Sequence, residues 1–151
     1  MDVYEAVWSR RAVRAFTDER VPKETLERVL GAAARAPSGG NLQPWNIVVV
    51  TGPTLADLKR RVALRVAAGD GGDEPEFDMY PRALESPYRE RKSAAGEQRF
   101  GALGIRREDA AARKREVAGN WDCFGAPVAL FCYIDRTMGR PQWADLGMYL
   151  Q

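Results

Sequence analysis

Three arginines and one short loop carry the residues best suited to chemistry. Arg10 and Arg11 are adjacent, and Arg14 follows three positions later. A guanidinium stays charged at any working pH and presents a planar fork that matches phosphate oxygens. Three arginines near the end of a helix can therefore clamp an anion, although most arginines simply face solvent. Further on comes Ala36-Pro37-Ser38-Gly39-Gly40-Asn41-Leu42-Gln43-Pro44-Trp45. The glycines and Ser38 expose backbone N–H groups, and Asn41 and Gln43 add amide donors and acceptors. That equipment suits a planar ligand rich in hydrogen-bonding edges. The same stretch also makes a good helix-to-strand connector, and most such loops only connect.

Other chemistries are excluded by what the chain lacks. It has no histidine, so Ser-His-Asp and Cys-His catalysis and His-ligated zinc are ruled out. An enzyme built this way relies on carboxylates, lysines, oxygen-ligated metal, or a cofactor that brings its own reactivity. Cys123 and Cys132 form no CxxC and predict no disulfide framework; they read as reduced, buried small hydrophobes. The net charge is +2, and Arg113-Lys114-Arg115 is followed at once by Glu116, so no nucleic-acid partner is expected. No apolar run is long enough to span a bilayer, and no signal peptide is visible, which makes the cytoplasm the default.

The elements that must position these residues follow from periodicity. The chain of 151 residues is 45% hydrophobic and 29% charged, enough for one soluble domain with a core. Residues 3–11 read as a short helix with Val3, Ala6 and Val7 on one face, and 13–21 as irregular or extended. Pro22 suits a first helical position, and Leu26, Val29, Leu30, Ala33 and Ala34 continue a helix that must stop before Pro37. Residues 45–51 form a strand, and its apolar run predicts cover on both faces. Thr54 with Asp57 resembles a capping box opening a helix with Leu55, Leu58, Val62 and Val66 inward.

Residues 69–78 are a polar, glycine-rich loop. Ser86-Pro87 opens a helix to about residue 101, and another helix runs over 107–118; both are highly charged and lie outside the main core. Residues 126–135 are a second strand and 136–141 a loop. The last segment, 142–151, is helical, with Trp143, Leu146, Gly147 and Leu150 on one face. With two strands and no closing cap, the chain is expected to stop before its fold is complete.

The order of these segments carries a resemblance. Arg10-Arg11-Ala12-Val13-Arg14-Ala15-Phe16, then a helix ending Ala-Ala-Ala-Arg-Ala-Pro-Ser-Gly-Gly-Asn-Leu-Gln-Pro-Trp, then a Val-rich strand, closely resembles the start of the nitroreductase family of FMN enzymes. Phe124-Gly125-Ala126-Pro127-Val128 and the final ten residues also look like that family. Ser86-Pro87-Tyr88-Arg89-Glu90-Arg91 is similar to a branch that includes nitrobenzoate and other nitroaromatic-acid reductases. The resemblance spans essentially the whole chain.

It implies a single α+β nitroreductase-like domain over residues 1–151, a central sheet flanked by helices, incomplete at its C-terminus. It implies a homodimer with FMN sites at the interface. Arg10 and Arg11 would sit at the phosphate and ribityl end, and Arg14 near the pyrimidine edge, where a cation stabilises the reduced flavin. Pro37, Ser38 and Gly39 would line the ring from the second subunit, and Asn41 and Gln43 would hold either the loop or the flavin. Ala12 departs from the family pattern, in which a hydroxyl often reaches the phosphate.

The implied activity is ping-pong transfer from NAD(P)H through FMN to a nitroaromatic, quinone or similar small aromatic acceptor. Tyr80, Tyr88, Phe100 and Phe124 are candidate pocket walls. As an incomplete nitroreductase, the isolated chain is expected to bind FMN weakly or not at all. One rival reading is a truncated, inactive flavin-binding or scaffold protein without turnover. A second is a basic helical module on nucleic acid, disfavoured by the charge balance.

Overall fold

Helix α1, Val3–Ser9, starts where Asp2 accepts the Glu5 N–H and Glu5 reaches back to the Asp2 N–H, both at 2.8 Å. This reciprocal cap satisfies two donors that a helix start leaves open. The computed structural model to which this helix belongs describes residues 2–151. The expected apolar face of α1 is not buried: Val3, Ala6 and Val7 are all exposed.

The remaining elements are α2 (Lys23–Ala33), β1 (Asn46–Thr51), α3 (Gly52–Ala67), α4 (Tyr88–Ala102), α5 (Ala110–Ala118), β2 (Val128–Tyr133) and α6 (Arg140–Leu150). Short 3₁₀ turns occupy Gly39–Asn41 and Gly119–Gly125. Among the described residues no helix is long and apolar enough to cross a membrane. The chain divides into two compact units. One takes in the chain up to Arg60 together with Cys123–Gln151, and the other is Arg61–Asp122.

In the first unit β1 and β2 pair antiparallel, with Ile47 opposite Cys132 and Val50 opposite Ala129. The buried apolar residues sit at both ends of this ribbon: Leu55, Ala126 and Ala129 toward the Thr51–Val128 end, and Tyr149 against Trp45 at the other. The expectation that β1 is covered on both faces fails. Val48 and its opposite number Phe131 are each 47% exposed, because a ribbon of two strands has too few neighbours to cover both sides.

Several boundaries shift for identifiable reasons. Pro22 caps α2 from outside: its carbonyl accepts the N–H groups of Thr25 and Leu26. Helix α3 opens at Gly52 (φ +54) with Pro53 behind it, not at Thr54. Asp57 pairs with Arg60 instead of supporting a cap, and Val66 is exposed while Leu55 is buried. Strand β2 is shorter than 126–135. Ala126 is taken into a turn by the Cys123 carbonyl, and Asp135 turns back to accept the Thr137 N–H and hydroxyl. Both thiols are free and half-buried rather than buried, and desolvation pushes the Cys132 thiol up.

The second unit holds α4 and α5, and neither helix has a buried residue, as their charge predicts. Arg99 pairs with Glu116 at 2.8 Å and Arg113 with Glu97 at 3.2 Å. The Arg113 guanidinium also lies 4.2 Å from the centre of the Phe100 ring. Helix α4 ends in a glycine-based stop. Gly104 (φ +67) lets the Ile105 N–H return to the Phe100 carbonyl and the Gly104 N–H to that of Gly101. Helix α5 begins at Ala110, three residues later than expected, because the Asp109 side chain caps it through the Ala112 N–H.

Candidate functional site

The loop after α2 is held by its own polar groups. Helix α2 ends in tightened bonds from Arg35 and Ala36 to the carbonyls of Ala32 and Ala33. The chain then passes through Pro37 into an extended Ser38 and a single 3₁₀ turn. Ser38 Oγ accepts the Gln43 N–H at 2.9 Å, and Gln43 Nε2 donates to Asn41 Oδ1 at 3.1 Å. The Ser38 carbonyl accepts the Asn41 N–H at 2.9 Å. Gly40, Asn41 and Gln43 all take positive φ, +59, +56 and +48. Left-handed backbone costs a residue with a Cβ about 1–2 kcal/mol, least for Asn. Such a run persists only where surrounding bonds over-determine it.

Helix α6 supplies the outer support. Asp145 is 4% exposed, and its Oδ2 and Oδ1 accept the Gly39 N–H at 3.2 and 3.4 Å. Tyr149, one turn on, stacks against Trp45 with ring centres 5.1 Å apart. Burial raises the Tyr149 phenol above its ordinary value, with Cys132 adding to it. The face of α6 that turns inward thus carries Asp145 and Tyr149, whereas Trp143 and Leu150, expected inside, are exposed. The helix also begins two residues earlier than expected, at Arg140, with Pro141 in its first turn.

Arg10 closes α1, and Arg11 and Arg14 follow on an irregular segment. All three are exposed. Arg11 Nη1 reaches the Trp8 carbonyl at 3.4 Å and Arg14 Nη1 the Ala12 carbonyl at 3.5 Å, both local and long. Among the described residues none of the three is held in an ion pair. Just beyond them the Phe16 N–H donates to the Phe124 carbonyl at 3.3 Å. Phe124 belongs to a run of three left-handed residues, Cys123, Phe124 and Gly125. A methyl on Gly125 would lie 3.5 Å from the Phe16 carbonyl oxygen.

Hydrogen bonds therefore join Ser38, Asn41 and Gln43 to one another and Gly39 to α6, while the arginines lie on a separate segment of the same unit. Tyr80, Tyr88 and Phe100 belong to the second unit, where cations from Lys92, Arg91 and Arg113 lie over their rings. A groove of about 780 Å3 opens at the far end of the ribbon from the loop. It is lined by Arg20, Lys23, Leu55 and Lys59, among others. Lys59 closes part of it by donating to the Ala126 carbonyl at 2.9 Å. None of the loop residues or the three arginines lines it, so its volume is no guide to the polar site.

Asp145 is missed by periodicity, although the sequence carries one signal of it. A carboxylate inside an otherwise apolar helical turn, four residues from a tyrosine, is rarely buried without a partner.

The pattern of the Nitroreductase family matches residues 7–151. The chain is 37% identical over 150 residues to a 4-nitrobenzoate reductase of Pseudomonas putida, covering 99% of this chain and 65% of that protein. It is 39% identical over 148 residues to the 4-nitrobenzoate reductase of Nocardioides sp. (strain LMS-CY), covering 96% and 60%. The chain thus spans a little under two thirds of the length of these relatives. The crystal structure of the FMN and NADPH-dependent nitroreductase NfnB from sphigopyxis sp. strain HMH superimposes with a TM-score of 0.94 at 47% identity. That match covers 99% of this chain and 67% of that one. The α+β architecture is that of this FMN and NADPH-dependent nitroreductase, and, on a family pattern matched from residue 7 to the last residue, the chain belongs to the nitroreductase family.

Proposed function

We propose that the protein is an FMN-dependent NAD(P)H oxidoreductase that reduces nitroaromatics, with quinones and similar small aromatic acceptors as further substrates. The observation that carries this reading is the set of three exposed arginines held in no ion pair among the described residues, in the same unit as a loop that holds its own polar groups in a strained, fixed form. The relatives named nitrobenzoate reductases and the FMN and NADPH-dependent structural neighbour support it.

The donor set fits FMN. Arg10 and Arg11 would hold the phosphate end, where two guanidiniums neutralise its charge and no histidine is needed. Arg14 would face the pyrimidine edge and favour negative charge there. Pro37, Ser38 and Gly39 would line the ring. Asn41 and Gln43, bonded to each other and to Ser38, would keep that wall in shape. When bound, FMN would supply the redox chemistry between NAD(P)H and the acceptor, in a ping-pong order. The protein side chains bind, orient and exclude water; none acts as nucleophile. We further propose that residues 1–151 work as one domain, in a cytoplasmic homodimer with a site at each interface.

The test is titration of the purified protein with FMN, followed by NADPH oxidation with 4-nitrobenzoate as acceptor. Saturable quenching of flavin fluorescence and acceptor-dependent NADPH loss are expected. Failure to bind FMN would overturn the reading.

A further inference from the structure

Asp145 is a buried ionisable side chain to which the proposed chemistry gives no task. A buried carboxylate is strongly unfavourable unless donors satisfy it. The donor here is the Gly39 backbone N–H, 106 residues away in sequence, shared between both oxygens. Gly39 lies close against α6: a methyl on it would meet Gln142 Nε2 at 3.8 Å and Asp145 Oδ2 at 3.9 Å. Gln142 is itself fixed, because its Oε1 accepts the Gly139 N–H at 3.1 Å at the start of the helix. Tyr149 meets Trp45 at the other end of the loop. Helix α6 therefore grips the loop at both ends, with a charge-assisted hydrogen bond at one and an aromatic contact at the other.

Between those grips lie the three left-handed residues Gly40, Asn41 and Gln43. Their own hydrogen bonds close the turn, and among the described residues only the Asp145 carboxylate hydrogen-bonds Gly39, at its start, to a helix. We propose that Asp145 is a positioning residue for the FMN cradle. Its carboxylate fixes Gly39, and through Gly39 the placing of Ser38 and the turn behind it. Cofactor affinity is then set in part from α6, by a side chain that need not touch the cofactor. This rests on the reading of the loop as an FMN wall.

The test uses Asp145→Ala and Asp145→Asn in the full protein, with two readouts. Amide exchange across residues 38–43 is measured without FMN, and FMN affinity and the visible circular dichroism of bound flavin are measured with it. Asp145→Ala leaves the Gly39 N–H without its acceptor. It is expected to speed exchange at Gly39 and to weaken FMN about ten-fold, with an altered dichroism band. Asp145→Asn keeps an acceptor oxygen in place and is expected to restore both readouts to near wild type. A folded Asp145→Ala variant with wild-type exchange and affinity overturns the proposal, and so does an Asn variant no better than Ala. If wild-type protein takes up no FMN, the cradle reading fails, while exchange at Gly39 still decides whether Asp145 holds the loop. Should Asp145→Ala not fold, Asp145→Glu replaces it, since it moves the oxygens by one methylene. Weakened FMN with Glu but not Asn supports the proposal, and wild-type behaviour of Glu overturns it.

Discussion

The loop of residues 38–45 and the α4–α5 pair use polar groups in opposite ways. In the helix pair, charges cancel locally. Arg99 meets Glu116, Arg113 meets Glu97, and Arg113 also covers Phe100. Nothing there is buried, and Gly104 sits at a routine helix stop. Around the loop, polar groups satisfy one another only as far as shape requires, and positive φ angles accumulate. In the same unit Arg10, Arg11 and Arg14 are left outside ion pairs among the described residues. Neutralised charge stabilises a surface; charge left over, in a unit with a rigidly specified backbone, is available for a ligand.

The sharpest way to break that contrast is to remove the charge. Arg10→Ala with Arg11→Ala is expected to weaken FMN binding by about 100-fold or more, since each guanidinium–phosphate contact contributes about 1.5–3 kcal/mol. Fluorescence titration checks this, and unchanged affinity would place the phosphate elsewhere. Next in size is the backbone. Gly40→Val forces a β-branched residue into φ +59 and should lower unfolding free energy by about 1–2 kcal/mol in urea melts. A neutral result would mean that the loop relaxes freely.

Arg14→Ala should lower the reduction potential of bound flavin with a smaller effect on affinity, read by dye-linked redox titration. An unchanged potential would remove Arg14 from the ring edge. The smallest effect belongs to the helix pair. Glu97→Gln should leave FMN affinity unchanged and shift stability only slightly. Hydrogen bonding from Arg113 holds the Glu97 carboxyl below its usual range. Its contribution is therefore present above the ordinary carboxylate pKa and lost as pH falls through the lowered folded value. The difference between wild type and variant should vanish in acid melts, and one that persists there would assign the effect to packing.

Much of this contrast is legible in the residues alone. The α2 periodicity, Pro37 and the β-branched run set the helix, loop and strand order, because each is a local effect. The charge on α4 and α5 announces exposed helices for the same reason. The misses are long-range. Counting apolar residues assigns the inward face of α6 to Trp143, Leu146 and Leu150, and such a count cannot credit Asp145, whose partner is Gly39. Capping chemistry points to Thr54 as the start of α3, because a left-handed Gly52 that opens a helix has no periodic signature. Composition suggests cover on both faces of β1, but composition does not know how many strands stand beside it.

The bond from the Phe16 N–H to the Phe124 carbonyl sets a zero mark on a ruler. Arg14, Arg11 and Arg10 are graduations at two, five and six residues from it. Extended chain advances about 3.3 Å per residue, so one residue inserted between Arg14 and Phe16 would slide all three charges by more than the length of a hydrogen bond. On the proposed FMN-binding role of the arginines, their spacing from Phe16 is thus as much a part of the site as their identity. A length change in that segment should damage it even with every side chain retained.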